Sequence, residues 1–234
     1  FSKLEAGHYI IVKNSKIVLK KQYYDLLKNK QLQRNYNFKE IKYNTKKLIE
    51  EAVKKQLISD VKVGSFLSGG IDSTVITTLA SKYCDKSFEA FTILNKDFKN
   101  NSEREFADDY KYAKIVASNL GIKLNTLEVN HETLIKEINE MTKFSDEPTS
   151  DPSAINTMLI SKAARSAGFK VLLSGIGGDD IFSGYRRHSA LYYEKYWKWT
   201  PELLKLILNK TLSKIKTQNN FVRRFKKIFE YSHL

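Results

Sequence analysis

The chain has 234 residues, 41% of them hydrophobic and 28% charged, which suits one substantial core in about one to two domains and excludes a disordered polymer. Its single cysteine, Cys84, excludes an internal disulfide and points to a reducing compartment such as the cytoplasm; no apolar run approaches the roughly 20 residues of a membrane helix. The net charge of +14 raises nucleic-acid binding, but Lys greatly outnumbers Arg and is scattered, apart from "RRFKK" at 223–227, so compositional bias is the stronger reading.

The opening residues enter mid-pattern at Phe1, and the chain reads as an excerpt of a longer protein. Two short β-type runs, "GHYIIVK" and "KIVLK", are joined by a polar Asn-Ser pair and predict a hairpin. Residues 26–43 read as a polar linker between a terminal segment, 1–25, and a larger domain, 44–234. In that domain Leu48, Ile49, Ala52, Val53 and Leu57 recur at helical spacing. "VKVGSFL" follows as a buried strand, then a helix over about 72–83, then the strand "FEAFTIL". A long helix spans 102–121, opened by a capping box at Ser102 and Glu105 and closed by Gly121. "IKLNTLEV" is a third strand, helices follow over 131–143 and 153–167, and "FKVLLS" is a fourth strand. The alternation predicts an α/β fold with a parallel, Rossmann-like sheet and helices on both faces.

Between the first of these strands and its helix lies "SFLSGGIDSTV", residues 65–75. A helix start after a strand is where orphan N–H groups and the positive helix end collect anions. Gly69 and Gly70 permit positive φ and close backbone approach, while Ser68, Ser73 and Thr74 add hydroxyls. The Lys of the GxxxxGK[ST] nucleotide loop is missing. Asp72 would repel a phosphate unless a divalent cation bridges them, and Mg²⁺ bound to phosphate takes such a ligand. A plain helix cap on a Gly-rich turn stands beside that reading. "KVLLSGIGGDDIFSGY", residues 170–185, repeats the plan with a second glycine turn and the pair Asp179 and Asp180. Both turns belong at the carboxyl edge of a parallel sheet, where ligands bind at a switch in strand order.

These two motifs, with "FTI" at 91–93 and "SDEPTSDPSAINTMLISKAAR" at 145–165, resemble the synthetase domain of the glutamine-hydrolysing asparagine synthetases, in the PP-loop ATP pyrophosphatase superfamily. "LEAGHYI" and "QYYDL" resemble the tail of that family's glutaminase domain, whose N-terminal cysteine nucleophile has no counterpart here. The resemblance implies that ATP adenylates the side-chain carboxylate of aspartate and that ammonia from glutamine then displaces AMP. Carried over, Ser68, Gly69, Gly70, Asp72 and Ser73 hold the phosphates, and Leu67, Ile93, Ser174 and Gly175 line the AMP moiety. Asp72 and Asp179 bind Mg²⁺, and Asp179 and Asp180 serve catalysis. Partners are aspartate or another carboxylate and ammonia, with no membrane, a nucleic acid as the weaker alternative, and room for a homodimer. Ile176 stands where many relatives carry an acid thought to assist ammonia, so Asp180 takes that role or the acceptor differs. A related amidotransferase acting on another carboxylate, and a tRNA-binding or tRNA-modifying PP-loop protein, are the other readings.

Several residues have two readings of equal weight. Asp146 to Pro148 shape the acceptor side or end a helix; Tyr185, Arg186 and Arg187 meet substrate or solvent. His8, His131, His188 and His233 show no metal-ligand spacing, and "YYEKYWKW" at 192–199 reads as helix packing.

Overall fold

The fold is taken from a computed structural model that describes residues 2–25, 28, 37–84, 87–97, 104–147, 149, 151, 153–185, 188–189, 191–192 and 210, with 104–108 described in the backbone only. The chain divides into two units, Phe1–Glu51 and Ala52–Leu234. In the first, β1 (His8–Lys13) and β2 (Lys16–Gln22) form the expected antiparallel hairpin. Asn14 and Ser15 turn it with φ of 51° and 60°, the left-handed pair that matches strand twist in a two-residue turn. Helix α1 (Phe38–Gln56) begins earlier than its apolar period suggests, and takes the last residues of the stretch read as linker. The cause is a cap without an apolar signature: Asn37 Oδ1 accepts the Glu40 N–H at 2.8 Å.

The second unit runs β3 (Val63–Phe66), α2 (Ile71–Tyr83), β4 (Glu89–Asn95), α3 (Arg104–Leu120), β5 (Lys123–Val129), α4 (His131–Phe144), α5 (Ser153–Ser166), β6 (Val171–Leu173) and the single turn α6 (Gly178–Ile181). The strands pair in parallel in the order β5-β4-β3-β6. Side chains alternate across β4, so neighbouring residues feed different layers. Ala90 packs with Leu67 and with Ala113 and Ala117 of α3. Phe91 turns to the other face, with Ile160 and Ala164 of α5 and with Phe169, whose ring it meets edge-on at 5.2 Å. Val129, Met141, Ile155 and Leu159 join α4 and α5 to the same side. Helices therefore cover both faces of a parallel α/β sheet, as the strand-helix alternation predicts.

Helix ends follow local chemistry. Gly121 takes φ of +64° after α3, and the Ile122 N–H returns to the Ala117 carbonyl at 3.1 Å. The Ser102–Glu105 capping box lies outside the described residues. Asn130 caps α4 through the Thr133 N–H at 2.9 Å, and Asp151 accepts the Ser153 N–H at 2.9 Å before α5. Cys84 ends α2 and packs, half-buried, beside Val53, Val63, Ala80 and Phe88. Among the described residues no helix is long and apolar enough to cross a membrane.

One buried polar contact ties α2 to the sheet. The hydroxyls of Ser65 on β3 and Thr77 on α2, both fully buried, lie 2.9 Å apart. Thr77→Val keeps the shape but strands the Ser65 hydroxyl. It is expected to cost about 1–3 kcal/mol and several degrees of Tm. Adding Ser65→Ala is expected to recover part of that loss in thermal melts. Equal stability of wild type and Thr77→Val would show that this contact does not anchor α2.

Candidate active site

Strands β3 and β6 lie side by side, with Val63 opposite Val171 and Ser65 opposite Leu173. Chain order steps from β3 through β4 to β5 on one side and reaches β6 on the other, so the switch in strand order falls between β3 and β6. In open parallel sheets the carboxyl ends at that switch are where ligands bind. The loops leaving those two ends are 67–70, entering α2, and 174–177, entering α6.

The first loop builds its own framework. Ser73 Oγ lies 3.1 Å from the Gly70 carbonyl and 3.0 Å from Ser68 Oγ, and the Ser68 N–H points at Ser73 Oγ at 3.3 Å. The Ser68 hydroxyl also accepts the Gly70 N–H at 3.3 Å. Ser73 is buried, so its hydroxyl shapes the turn. Gly70, the residue before α2, has extended φ and ψ of −69° and 162° and no side-chain cap. The N–H groups of Ile71, Asp72 and Ser73 thus have no carbonyl one turn earlier within the helix and no cap from Gly70.

The two glycines of this loop do different work. Gly69 has φ of +88°, and a Cβ on it would overlap the Asp109 carbonyl and lie 2.9 Å from the Ala113 nitrogen. Its missing side chain admits α3. A Cβ on Gly70 would meet only Ser68 Oγ, at an ordinary 3.4 Å. Gly70 is therefore the glycine that leaves a face of the loop open.

The second loop lies directly on the first. A Cβ on Gly175 would sit 2.6 Å from the Ser73 nitrogen and 2.8 Å from the Asp72 carbonyl carbon. A Cβ on Gly178 would overlap the Asp72 carboxylate. Gly175 is thus held against the backbone at the start of α2, and the Asp72 carboxylate rests on Gly178, the first residue of α6. Ser174 Oγ accepts the Ile176 N–H at 3.1 Å, and Gly177 supplies a φ of +92°. Asp179 and Asp180 open α6 on the exposed side. The Asp179 carboxylate folds over Gly184, whose N–H donates to the Asp179 carbonyl at 2.9 Å.

Two residues expected along a nucleotide also pack against the core. Leu67 is 1% exposed, packs against Ala90, Ala113 and Ala117, and donates its N–H to the Phe91 carbonyl at 2.9 Å. Ile93, two residues before the end of β4, is half-buried and packs against the Phe91 and Val129 clusters. Among the described residues no group of three or more His, Cys, Asp or Glu side chains is placed to hold a metal ion. His8 Nδ1 lies 3.0 Å from the Ala6 carbonyl, and His131 Nδ1 lies 2.8 Å from Asp97 Oδ2, each in a local contact. The expectations for Pro148, Arg186, Arg187, His233, residues 193–199 and "RRFKK" fall outside the described residues.

Three features of the site carry no motif of their own: the Ser68–Ser73 hydroxyl contact, Gly178 against Asp72, and Gly184 against Asp179. The one sequence signal for the last two is glycine recurring around the paired aspartates in "GIGGDDIFSG".

Residues 44–233 match the sequence profile of the family described as asparagine synthase. A protein of Methanocaldococcus jannaschii named putative asparagine synthetase [glutamine-hydrolyzing] 2 is 31% identical over 210 residues, covering 89% of this chain and 38% of that protein. Asparagine synthetase [glutamine-hydrolyzing] 1 of Bacillus subtilis is 31% identical over 179 residues, covering 74% of this chain and 27% of that protein. The U34-tRNA thiolase NcsA from Methanococcus maripaludis, a solved structure with its [4Fe-4S] cluster, aligns at 17% identity and a TM-score of 0.45, over 86% of this chain and 75% of that one. The chain thus spans well under half the length of these two asparagine synthetase relatives. With the profile running from α1 through both glycine loops, this chain belongs to the asparagine synthase family.

Proposed function

We propose that this site activates a carboxylate with ATP and converts it to an amide. The observation that carries the reading is the contact between the loops: Gly175 on the backbone of Asp72 and Ser73, and Gly178 on the Asp72 carboxylate, at the switch point of the sheet. The uncapped start of α2 offers N–H donors for phosphate oxygens, and the open face of Gly70 lets them approach. A carboxylate oxygen then attacks the α-phosphorus and the bond to pyrophosphate breaks. Ammonia attacks the acyl carbon, the bond to AMP breaks, and one proton passes to a base.

The donor set fits Mg²⁺, which takes hard oxygen ligands and keeps phosphate and water in its shell, so one or two protein carboxylates suffice. Asp72 and Asp179 would hold it, and it would offset charge on the phosphates. Family membership supports aspartate as the acid and glutamine-derived ammonia as the nitrogen source. The reading is tested with the full-length protein by measuring pyrophosphate release across candidate acids, with and without ammonia. Acid-dependent release supports it, and release that ignores the acid contradicts it.

In this scheme Asp180 accepts the ammonia proton, because Ile176 cannot. Asp180→Asn is expected to leave pyrophosphate release largely intact and to slow amide formation by at least about tenfold. Glu in place of Ile176 should return part of the loss. Equal losses in both steps would make Asp180 a structural or metal-shell residue.

A further inference from the structure

We infer that Gly184 is a positioning residue for the Asp179 carboxylate, and through it for the divalent cation of the site; this rests on the ligase reading above, in which Asp179 helps to hold Mg²⁺. A Cβ on Gly184 would fall on Asp179 Oδ1 and lie 2.8 Å from its Cγ and 3.2 Å from its Cα. The carboxylate therefore occupies the space that any side chain at 184 would take. Gly178 leaves room for the Asp72 carboxylate in the same way. Each of the two carboxylates assigned to the cation thus lies over a glycine of its own, one opening α6 and one closing the turn after it.

Backbone conformation does not explain the glycine at 184. The chain leaves α6 through a closed turn: the Phe182 N–H donates to the Gly178 carbonyl at 2.8 Å, and the Gly184 N–H to the Asp179 carbonyl at 2.9 Å. Ser183 carries the left-handed φ of 59°, at the position where such a helix end favours glycine. Gly184 comes next and has no positive φ, so its conformation is open to other residues. The glycine thus stands one place beyond the residue that needs it for backbone freedom. At that place a helix end of this kind commonly packs an apolar side chain on the residue five positions earlier. Here the earlier residue is Asp179, and its carboxylate lies over bare backbone instead. Groups that orient a metal ligand without touching the metal are typically worth about 10- to 100-fold in metal affinity.

The test is Mn²⁺ binding to the full-length protein with α,β-methylene-ATP, followed by electron paramagnetic resonance, with Mn²⁺ replacing Mg²⁺ on oxygen ligands. Gly184→Ala should weaken Mn²⁺ binding by about 10- to 100-fold, since the new methyl turns the carboxylate aside. In acid-dependent pyrophosphate release the same variant should raise the half-saturating Mg²⁺ concentration and leave KM for the acid unmoved. Ser183→Gly, which only relaxes the turn, should keep wild-type Mn²⁺ affinity. Added to Gly184→Ala, it lets the turn give, so the same titration decides if the single variant fails to fold. Gly184→Ala on top of Asp179→Asn should cost nothing further, because the two positions act as one unit. Wild-type Mn²⁺ affinity in Gly184→Ala overturns the inference. A further loss on top of Asp179→Asn also overturns it, since Gly184 then acts on something else. Asp179→Asn with wild-type Mn²⁺ affinity removes Asp179 from the metal and the inference with it, and leaves the ligase reading standing. The expected Mn²⁺ pattern in a protein whose pyrophosphate release ignores the acid supports the seat at Gly184 and overturns the ligase reading alone.

Discussion

Asp72→Asn is expected to lower acid-dependent pyrophosphate release by at least about a hundredfold, without lowering the melting temperature by more than a degree or two. The two side chains are nearly the same size, so the contact with Gly178 and the seating of α6 against α2 survive the change. The lost quantity is negative charge at the point where phosphate groups and their metal would converge. An amide binds Mg²⁺ far less well than a carboxylate. Release equal to that of wild type would remove Asp72 from the metal site and leave it as part of the loop contact alone.

Gly175→Ala is expected to cut the same activity by about a hundredfold for a different reason. The new Cβ would lie 2.6 Å from the Ser73 nitrogen and 2.8 Å from the Asp72 carbonyl carbon, and both are backbone atoms that cannot swing aside. The loops must separate by a fraction of an ångström to an ångström. Misplacement on that scale costs up to about 10²-fold when reacting groups are held on both sides. No charge or hydrogen-bonding group is removed, so a large loss isolates the geometry of the contact. Unchanged activity, with the fold intact by circular dichroism, would mean that the two loops do not share one ligand.

The fold was legible because its signals are additive along the chain. Buried strands such as "VKVGSFL" alternate with amphipathic helices, and that alternation leaves a parallel sheet with crossovers as the simple solution. The same logic puts both glycine motifs at one carboxyl edge, whereas the position of the switch, between β3 and β6, comes from the strand order of the structure. The division of labour inside the motifs was not legible. Gly69 and Gly70 are both glycines in the sequence, but one admits α3 and the other would meet only the Ser68 hydroxyl. Leu67 follows β3 and Ile93 lies two residues before the end of β4; the first also packs against Ala113 and Ala117, and the second, half-buried, against the Phe91 and Val129 clusters. Ser73 is expected to hold phosphate, and its hydroxyl also lies within hydrogen-bond reach of Gly70 and Ser68. These outcomes depend on which helix arrives from elsewhere in the chain, and no local pattern carries that information. The early start of α1 is the opposite case, a purely local cap at Asn37 that a hydrophobic-period reading passes over.

Isotope transfer tests activation of a carboxylate by adenylation most directly. Full-length protein is supplied with Mg-ATP, ammonia and an acid labelled with ¹⁸O in its carboxyl group, and the products are read by mass spectrometry. Attack of the carboxylate on the α-phosphorus predicts one ¹⁸O in AMP and the other in the amide carbonyl, with unlabelled pyrophosphate formed in equal amount. Label in inorganic phosphate with ADP as the nucleotide product would place attack at the γ-phosphorus and contradict adenylation at the 67–73 and 174–180 loops.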